Sequence, residues 1–164
     1  MQTPKPGSSP AGSVVTGRAA GLVVRVVGRA SGRMVAVNQA STSNGALIVQ
    51  TASTGAVAQW RLVSADGGCY QLLNVHSGLA LDNPDGTSAD GVQMQQWQAV
   101  AGDANQIWCF QAVGGGWYSI RNQASGSLLD VRDGVSQEDS AIQQWSADQL
   151  APNANQTWQL QAVG

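Results

Sequence analysis

Charged side chains are scarce in this sequence, and lysine is almost missing. Only 11% of the residues are charged, and Lys5 is the single lysine. The formal net charge is −2, which argues against nucleic-acid binding, because such proteins present clustered basic residues. Two cysteines and one histidine are too few for a typical zinc site, so we expect no metal.

Long apolar runs are also missing. A transmembrane helix needs about 18–20 consecutive apolar residues, and no stretch approaches that length, so we expect no membrane insertion. The first residues, MQTPKPGSSPAGS, carry prolines and polar residues where a signal peptide has its apolar core. We interpret residues 1–13 as a disordered tail or the stub of a linker.

What the sequence does contain is typical of short strands joined by turns. Hydrophobic residues make up 43%, and 20 of the 164 residues are glycine. Apolar runs such as CYQLLNV and QIWCFQAV alternate with turn sequences such as NPDGTSADG, and no segment has helical periodicity. We therefore expect one all-β domain over residues 14–164.

The basic residues are concentrated near the start of the chain. Residues 1–61 carry six basic side chains and no acid, whereas residues 62–164 carry two arginines and ten acids. Arg25, Arg29 and Arg33 are therefore a candidate patch for an acidic protein partner. The alternative is that they are ordinary solvated arginines.

The strongest pattern is an internal repeat. Residues 70–110 align with residues 118–160, and residues 24–62 fit the same frame less closely. The units span about 20–65, 66–113 and 114–163, each with four strand-like runs. Three such units predict a closed structure with pseudo-threefold symmetry, because one unit cannot bury its own apolar face. One tryptophan per unit is predicted to pack in the shared core: Trp60, Trp108 and Trp158.

Two of the units resemble a known family. The second and third units carry Asn-Gln-x-Trp at Asn105–Trp108 and Asn155–Trp158, preceded by SGLALD and SGSLLD. These motifs resemble the ricin-B-type (R-type) lectins and related carbohydrate-binding modules over roughly residues 20–163. The resemblance implies a β-trefoil, a six-stranded barrel closed at one end by three hairpins.

The resemblance also implies sugar ligands in the second and third units. A carboxylate accepts hydrogen bonds from neighbouring hydroxyls, an amide both donates and accepts, and an indole face packs on a pyranose ring. Each aspartate, asparagine or second tryptophan alone could instead be a turn former or a core residue. The implied ligands are Asp82, Trp97 and Asn105 in the second unit and Asp130, Trp145 and Asn155 in the third. Gln106 and Gln156 are implied to support the aspartates by hydrogen bonding.

The first unit departs from this pattern. The frame places Ala36 where the aspartate belongs, Thr51 for the tryptophan, Val57 for the asparagine and Ala58 for the glutamine. We therefore expect a degenerate first unit without a sugar site.

These observations predict a non-catalytic, cofactor-free lectin module with two sites for galactose-containing glycans or xylan-like polysaccharide. The family resemblance implies a secreted or surface-exposed protein. A glycosidase needs two carboxylates about 5–10 Å apart, and Asp82 and Asp130 lie in different units. The rival interpretations are a protein-binding trefoil, or a targeting module attached through the N-terminal linker to a glycoside hydrolase or to a surface or particle assembly.

The two cysteines leave two possibilities. Cys69 and Cys109 could form a disulfide or remain buried thiols. They fall in the first and last strands of one unit, which barrels of the resembled fold tend to pair.

Overall fold

The computed structural model describes residues 21–147 and 153–163, so the predicted tail at residues 1–13 lies outside the described residues. Within those ranges the chain forms twelve strands and short 3-10 turns, in agreement with the all-β prediction. The strands are β1 (Val23–Gly28), β2 (Met34–Val37), β3 (Ile48–Thr51), β4 (Trp60–Ser64), β5 (Cys69–Asn74), β6 (Ala80–Asp82), β7 (Gln95–Trp97), β8 (Trp108–Gly114), β9 (Trp117–Asn122), β10 (Leu128–Val131), β11 (Ile142–Trp145) and β12 (Trp158–Ala162). The 3-10 turns are Asn38–Ala40, Ala56–Ala58, Asp66–Gly68, Pro84–Gly86, Ala104–Gln106, Arg132–Gly134 and Ala154–Gln156.

Six of the strands close into a barrel. Antiparallel pairing runs in a ring from β1 to β4, β5, β8, β9 and β12, and from β12 back to β1. We call β1–β4 the first lobe, β5–β8 the second lobe and β9–β12 the third lobe. Each lobe gives its first and last strands to the barrel, which is the β-trefoil arrangement and confirms the predicted fold.

The two middle strands of each lobe form a hairpin, and the hairpins contact one another in a cycle. Single antiparallel bridges join Leu47 of the first lobe to Gln95 of the second, and Gln93 of the second to Gln143 of the third. A further bridge between Val49 and Ala141 joins the third lobe back to the first. Each hairpin therefore lies beside a segment of the preceding lobe.

A buried glutamine strengthens each of these junctions. Its Nε2 donates to two backbone carbonyls in the loop of the preceding lobe, at distances of 2.7–3.0 Å. These bonds give each buried glutamine NH₂ group its acceptors and tie the loop of the preceding lobe to the neighbouring hairpin. The three glutamines are Gln50, Gln96 and Gln144.

The repeated tryptophans lie in the core as predicted. Trp60, Trp108 and Trp158 are fully buried in one apolar cluster that includes residues from all three lobes. Each indole Nε1 donates to a backbone carbonyl in its own lobe, that of Val35, Leu81 or Leu129. The indole N–H therefore keeps a partner inside the barrel.

A disulfide joins two barrel strands of the second lobe. Cys69 in β5 lies directly opposite Cys109 in β8, and their sulfurs are bonded across a separation of 40 residues. The bond closes the loop that contains the second-lobe hairpin.

Loss of this disulfide is expected to destabilise the fold without changing it. Closing a loop of this length restricts the unfolded chain, so Cys69→Ser with Cys109→Ser should lower the free energy of unfolding by about 2–4 kcal/mol. Urea unfolding of the oxidised protein and the double variant measures the difference. Reductant should destabilise the parent protein and leave the double variant unchanged; equal stability of the two proteins would contradict the prediction.

Candidate functional site

The second and third lobes each hold one aspartate between two glutamine side chains. Asp82 is 5% exposed, and its Oδ1 accepts from Gln95 Nε2 at 3.0 Å while its Oδ2 accepts from Gln106 Nε2 at 3.1 Å. In the third lobe, Gln143 Nε2 donates to Asp130 Oδ1 at 2.9 Å, and Gln156 donates to the same carboxylate. Each carboxylate is thus oriented by two neutral amides, and no basic side chain among residues 21–147 and 153–163 forms an ion pair with it.

Strand register brings the exposed tryptophan onto the face that carries this carboxylate. In the β6–β7 hairpin, Asp82 lies opposite Gln95 and Ala80 lies opposite Trp97. Residues two apart on a strand share a face, so Trp97 stands diagonally next to Asp82. The third-lobe hairpin repeats the register, since Asp130 lies opposite Gln143 and Leu128 opposite Trp145.

These two tryptophans differ from the core tryptophans in their exposure. Trp97 is 44% exposed and Trp145 is 45% exposed, whereas the core tryptophans are fully buried. A half-exposed indole on a polar surface offers an apolar face to a ligand. The alternative interpretation of Trp97 and Trp145 as core residues is therefore wrong.

The asparagines lie against the turn that follows each aspartate strand. Asn105 packs on Gly86, where a Cβ added to the backbone would stand only 2.5 Å from Asn105 Oδ1, and Asn155 packs on Gly134 in the same way. Both glycines also have positive φ, +63° and +62°. This backbone conformation is a second reason, besides the lack of space for a Cβ, why glycine is favoured at these positions. No other described residue makes a hydrogen bond to the Asn105 or Asn155 carboxamide, so both amides can bond a ligand.

One supporting glutamine in each of these lobes is itself held by further hydrogen bonds, Gln106 in the second lobe and Gln143 in the third. Gln106 is fully buried; its Oε1 accepts from Val100 N and Gln71 Nε2, and its Nε2 also donates to the Gln98 carbonyl. In the third lobe, Arg132 Nε donates to Gln143 Oε1 at 2.9 Å. Each arrangement turns an amide NH₂ toward the carboxylate.

Burial and hydrogen bonding act on the carboxylates in opposite directions. Desolvation is the larger effect and raises the pKa of Asp82 above the ordinary value, although Gln95 and Gln106 oppose it by donating to the ionised form. Nearby Asp103 and Asp85 raise the pKa further. The pKa of Asp130 is raised for the same reasons, with Gln143 and Gln156 opposing and Asp133 and Asp90 adding to the rise.

In the first lobe, apolar side chains occupy the corresponding positions. The β2–β3 register places Ala36 opposite Val49 and Met34 opposite Thr51, which matches Asp82–Gln95 and Ala80–Trp97. Ala36 and Ala58 are buried in a small apolar cluster with Val27 and Met34. The first lobe therefore lacks the carboxylate, both amide donors and the indole, as its sequence indicates.

A residue from the third lobe covers the first-lobe position that corresponds to the exposed tryptophan. Thr51 Oγ1 donates to Glu138 Oε2 at 2.5 Å, Ala52 N donates to Glu138 Oε1 at 2.8 Å, and Arg33 forms an ion pair with the same glutamate. The Thr51 hydroxyl and the Ala52 amide hold the pKa of Glu138 below its usual value, with a smaller effect from Arg33.

The arginines of the first lobe are engaged in local contacts. Arg25 Nε donates to the Thr54 carbonyl at 3.0 Å, and the guanidinium of Arg29 lies 5.1 Å from the Trp117 ring centre. Arg33 is bound to Glu138. These contacts are typical of surface arginines packed on their own fold, so an acidic protein partner at this patch stays a prediction.

Several residues of the site were missed by sequence reasoning. Gln95 and Gln143 could have been found, because each stands two residues before an exposed tryptophan in the repeated Gln-Gln-Trp and so shares its face. Gly45 and Gly91 had no such signal. They come from the preceding lobe, where an added Cβ would stand 3.7 Å from the indole rings of Trp97 and Trp145.

A partly open cavity in the described part of the chain borders Gln71, whose amide donates to Gln106 of the second lobe. This cavity of about 340 Å³ is lined by Asp66, Gln71, Ile107 and Gln123 among others. Asp66 is the single acidic residue of its lining, so the cavity does not supply the pair of carboxylates that a glycosidase needs.

Comparison with known proteins agrees with this geometry. The sequence profile of the family described as "Ricin-type beta-trefoil lectin domain-like" matches residues 14–97, 56–145 and 104–164. The chain belongs to this family, whose general function is carbohydrate binding. No curated protein sequence matches the chain. Among the residues that the structure describes, no helix has the length and hydropathy to cross a membrane.

Solved structures resemble the chain at two levels of identity. The designed threefold-symmetric protein ThreeFoil is 34% identical, with a TM-score of 0.81 over 86% of this chain and 99% of that one. The exo-beta-1,3-galactanase 1,3Gal43A from Clostridium thermocellum is 36% identical, with a TM-score of 0.80. That match covers 87% of this chain but only 30% of the galactanase.

A more distant structure shares the fold alone. The Macrolepiota procera ricin B-like lectin, determined in complex with lactose, is 18% identical with a TM-score of 0.72. The match covers 88% of this chain and 97% of that lectin.

The raised pKa of the two aspartates predicts how stability changes with pH. Each carboxyl binds its proton more tightly in the folded protein than in the unfolded chain, so its contribution to stability is full below about pH 4 and is lost as pH rises through the raised pKa. The parent protein should therefore gain stability over Asp82→Ala/Asp130→Ala on acidification from pH 7 to 4. Urea unfolding at several pH values measures the gain.

Glu138 supplies a control of opposite sign. Its pKa is lowered, so its contribution is present above the unfolded value of about 4.5 and is lost as pH falls through the folded value. The advantage of the parent protein over Glu138→Gln should shrink over the same acidification. A parallel trend for both variants would show that the aspartate shift has the wrong sign.

Proposed function

We propose that this chain is a non-catalytic carbohydrate-binding module with two sugar sites, one in the second lobe and one in the third. The observation that carries the proposal is the repeated grouping of a glutamine-supported carboxylate, a half-exposed indole and a carboxamide that has no hydrogen-bond partner in the described part of the chain. Asp82, Trp97 and Asn105 make the second-lobe group, and Asp130, Trp145 and Asn155 make the third-lobe group.

The chemistry of each group suits a sugar hydroxyl cluster. The two oxygens of an ionised carboxylate can accept about four hydrogen bonds, and the protein uses one on each oxygen of Asp82. The remaining capacity is available to two neighbouring hydroxyls of one sugar ring. The Asn105 amide can donate to or accept from a further hydroxyl, and the Trp97 indole packs on the apolar face of the ring.

The substrate class that we propose is galactose-containing glycans or xylan-like polysaccharide. The 36% identity to part of an exo-beta-1,3-galactanase favours galactose-containing polymers. A single shallow site of this kind binds with a Kd of about 1 mM, or roughly −4 kcal/mol. Two such sites on one rigid fold bind a polymer more tightly because the second contact is intramolecular.

Removing both carboxylates should abolish retention on a galactan or xylan matrix. Asp82→Ala with Asp130→Ala removes the hydroxyl acceptors, and each single variant should weaken polymer binding roughly tenfold or more by removing bivalency. Affinity electrophoresis and calorimetry measure the losses. The matched control is Asp85→Asn with Asp133→Asn, which removes two exposed turn carboxylates from the same lobes.

The control variant should bind like the parent and unfold at nearly the parent temperature. The alanine variants should stay folded at the assay temperature but unfold at a lower temperature than the parent, because buried glutamine amides lose their carboxylate acceptor. Retained polymer binding by the double alanine variant would reject both site assignments. Equal loss of binding in the double alanine variant and in the control would show that net charge, rather than the site carboxylates, drives retention.

A role as the targeting module of a larger enzyme is the second candidate. It is favoured by the galactanase comparison, in which the matched region is 30% of that chain. The linker-like composition of residues 1–13 fits an attachment to another domain or assembly, and such modules act outside the cell on polymers. Under this proposal the chain binds the polymer but does not cleave it.

An assay for reducing sugars separates binding from catalysis. The chain alone, incubated with β-1,3-galactan and with xylan, should release no reducing ends above the level of the double alanine variant. The second and third lobes hold one site carboxylate each, whereas glycoside hydrolysis needs a pair about 5–10 Å apart. Release that disappears in the Asp82→Ala/Asp130→Ala protein would show that these groups are catalytic.

A further inference from the structure

The two sites differ most in the side chain that the preceding lobe places beside them. Leu47 of the first lobe lies opposite Gln95 in an antiparallel bridge, on the far side of Gln95 from Asp82. Directly opposed residues present their side chains to the same face of a sheet. Asp82, Gln95 and Leu47 therefore form one row across the second-lobe site.

A second row lies next to it and carries the indole. Trp97 lies opposite Ala80, and on its other side the backbone of Gly45 donates to the Gln96 carbonyl at 2.8 Å. The indole ring leans over Gly45, because an added Cβ there would stand 3.7 Å from the Trp97 ring. Leu47 lies opposite Gln95, and Gln95 and Trp97 are two residues apart in β7, so Leu47 stands diagonally next to the indole on the same face.

Leu47 is exposed at this place. It is 45% exposed, although it belongs to a segment held on both sides by backbone hydrogen bonds to Gln96 and Met94. The backbone of this segment is therefore held in place by hydrogen bonds. The leucine side chain faces solvent next to the half-exposed Trp97. Burying it against a ligand would be favourable.

The third-lobe site has a polar residue at the same place. Gln93 lies opposite Gln143 in the equivalent bridge, and Gly91 underlies Trp145 as Gly45 underlies Trp97. Gln93 is half-buried, and its Nε2 donates to the Ile48 carbonyl at 2.9 Å. This amide is committed to the protein and offers no apolar surface.

We propose that Leu47 extends the second-lobe site into a two-sugar site, whereas the third-lobe site recognises one sugar unit. The inference rests on the proposed function. When one sugar is bonded to Asp82 and packed on Trp97, the next sugar unit of the glycan lies over Leu47. Leu47 is about two strand spacings of 4.8 Å from the Asp82 carboxylate. Leu47 packs against the apolar C–H face of that second pyranose.

Single-site proteins test this difference. Asp130→Ala leaves the second-lobe site and Asp82→Ala leaves the third-lobe site. Calorimetry with galactose and lactose, and with xylose and xylobiose, gives the gain in affinity from a monosaccharide to a disaccharide. We expect a gain of about tenfold for the second-lobe site, from burial of the exposed part of Leu47, and less than about twofold for the third.

Leu47→Gln, made in the Asp130→Ala background, copies the third-lobe residue into the second-lobe site. It should reduce the disaccharide gain to less than about twofold and leave monosaccharide affinity unchanged. Leu22→Gln is the matched control, since Leu22 is also exposed, at 41%, but precedes β1 on the barrel. It should keep the tenfold gain, and urea unfolding verifies that both variants are folded.

The outcomes separate the two proposals. Monosaccharide binding at both sites with equal disaccharide gains, or a gain that survives Leu47→Gln, would overturn the role of Leu47 and leave the sugar sites standing. Absence of binding by the parent protein to all four sugars and to both polymers would overturn the proposed function and this inference together.

Discussion

Each candidate site depends on keeping a carboxylate below the surface while leaving part of it free to accept hydrogen bonds. Burial alone favours the neutral acid, which is a poorer acceptor. The second and third lobes offset this with two glutamine amides per aspartate, one on each oxygen of Asp82. Because the amides are neutral, they stabilise the ionised form without the competing cation of a salt bridge, and they leave acceptor capacity for a ligand.

This dependence explains why the first lobe has changed at several positions together. With an alanine at position 36, glutamines at positions 49 and 58 would point buried donors at an apolar side chain, and unsatisfied donors are costly. The chain has Val49 and Ala58 there instead, and the space is filled by an apolar cluster with Met34. Carboxylate and amides therefore behave as one unit, present in two lobes and absent as a whole from the first.

Much of the fold could be predicted because its signals are local and repeated. Trp60, Trp108 and Trp158 recur once per unit, and threefold repetition requires a shared core. The exposed tryptophans could be distinguished from the core ones only through their recurrence with an aspartate and an asparagine. The supporting role of Gln106 came from family resemblance, whereas Gln95 needed only the two-residue period of a strand and was overlooked.

The remaining features depend on contacts that the order of residues does not display. Nothing local to Leu47 or Gly45 indicates that they border Trp97, about fifty residues later, because that contact is set by closure of three hairpins around one axis. The sequence does not decide the Cys69–Cys109 bond for a related reason, since the bond depends on how strands pair across the barrel.

The cyclic arrangement also explains why a trefoil with two candidate sites still needs three complete lobes. The first lobe has no carboxylate of its own, yet its segment around Gly45 and Leu47 forms a wall of the second-lobe site. The matching segment of the third lobe borders the first lobe, where no sugar contacts remain, and it carries Asp139 at a φ of +63° and Ala141 in place of the glycine and the leucine. This segment has a glycine where it borders a candidate site, at Gly45 and Gly91, and has Asp139 where it borders the first lobe. Each candidate site is therefore formed by its own lobe together with the adjoining segment of the preceding lobe.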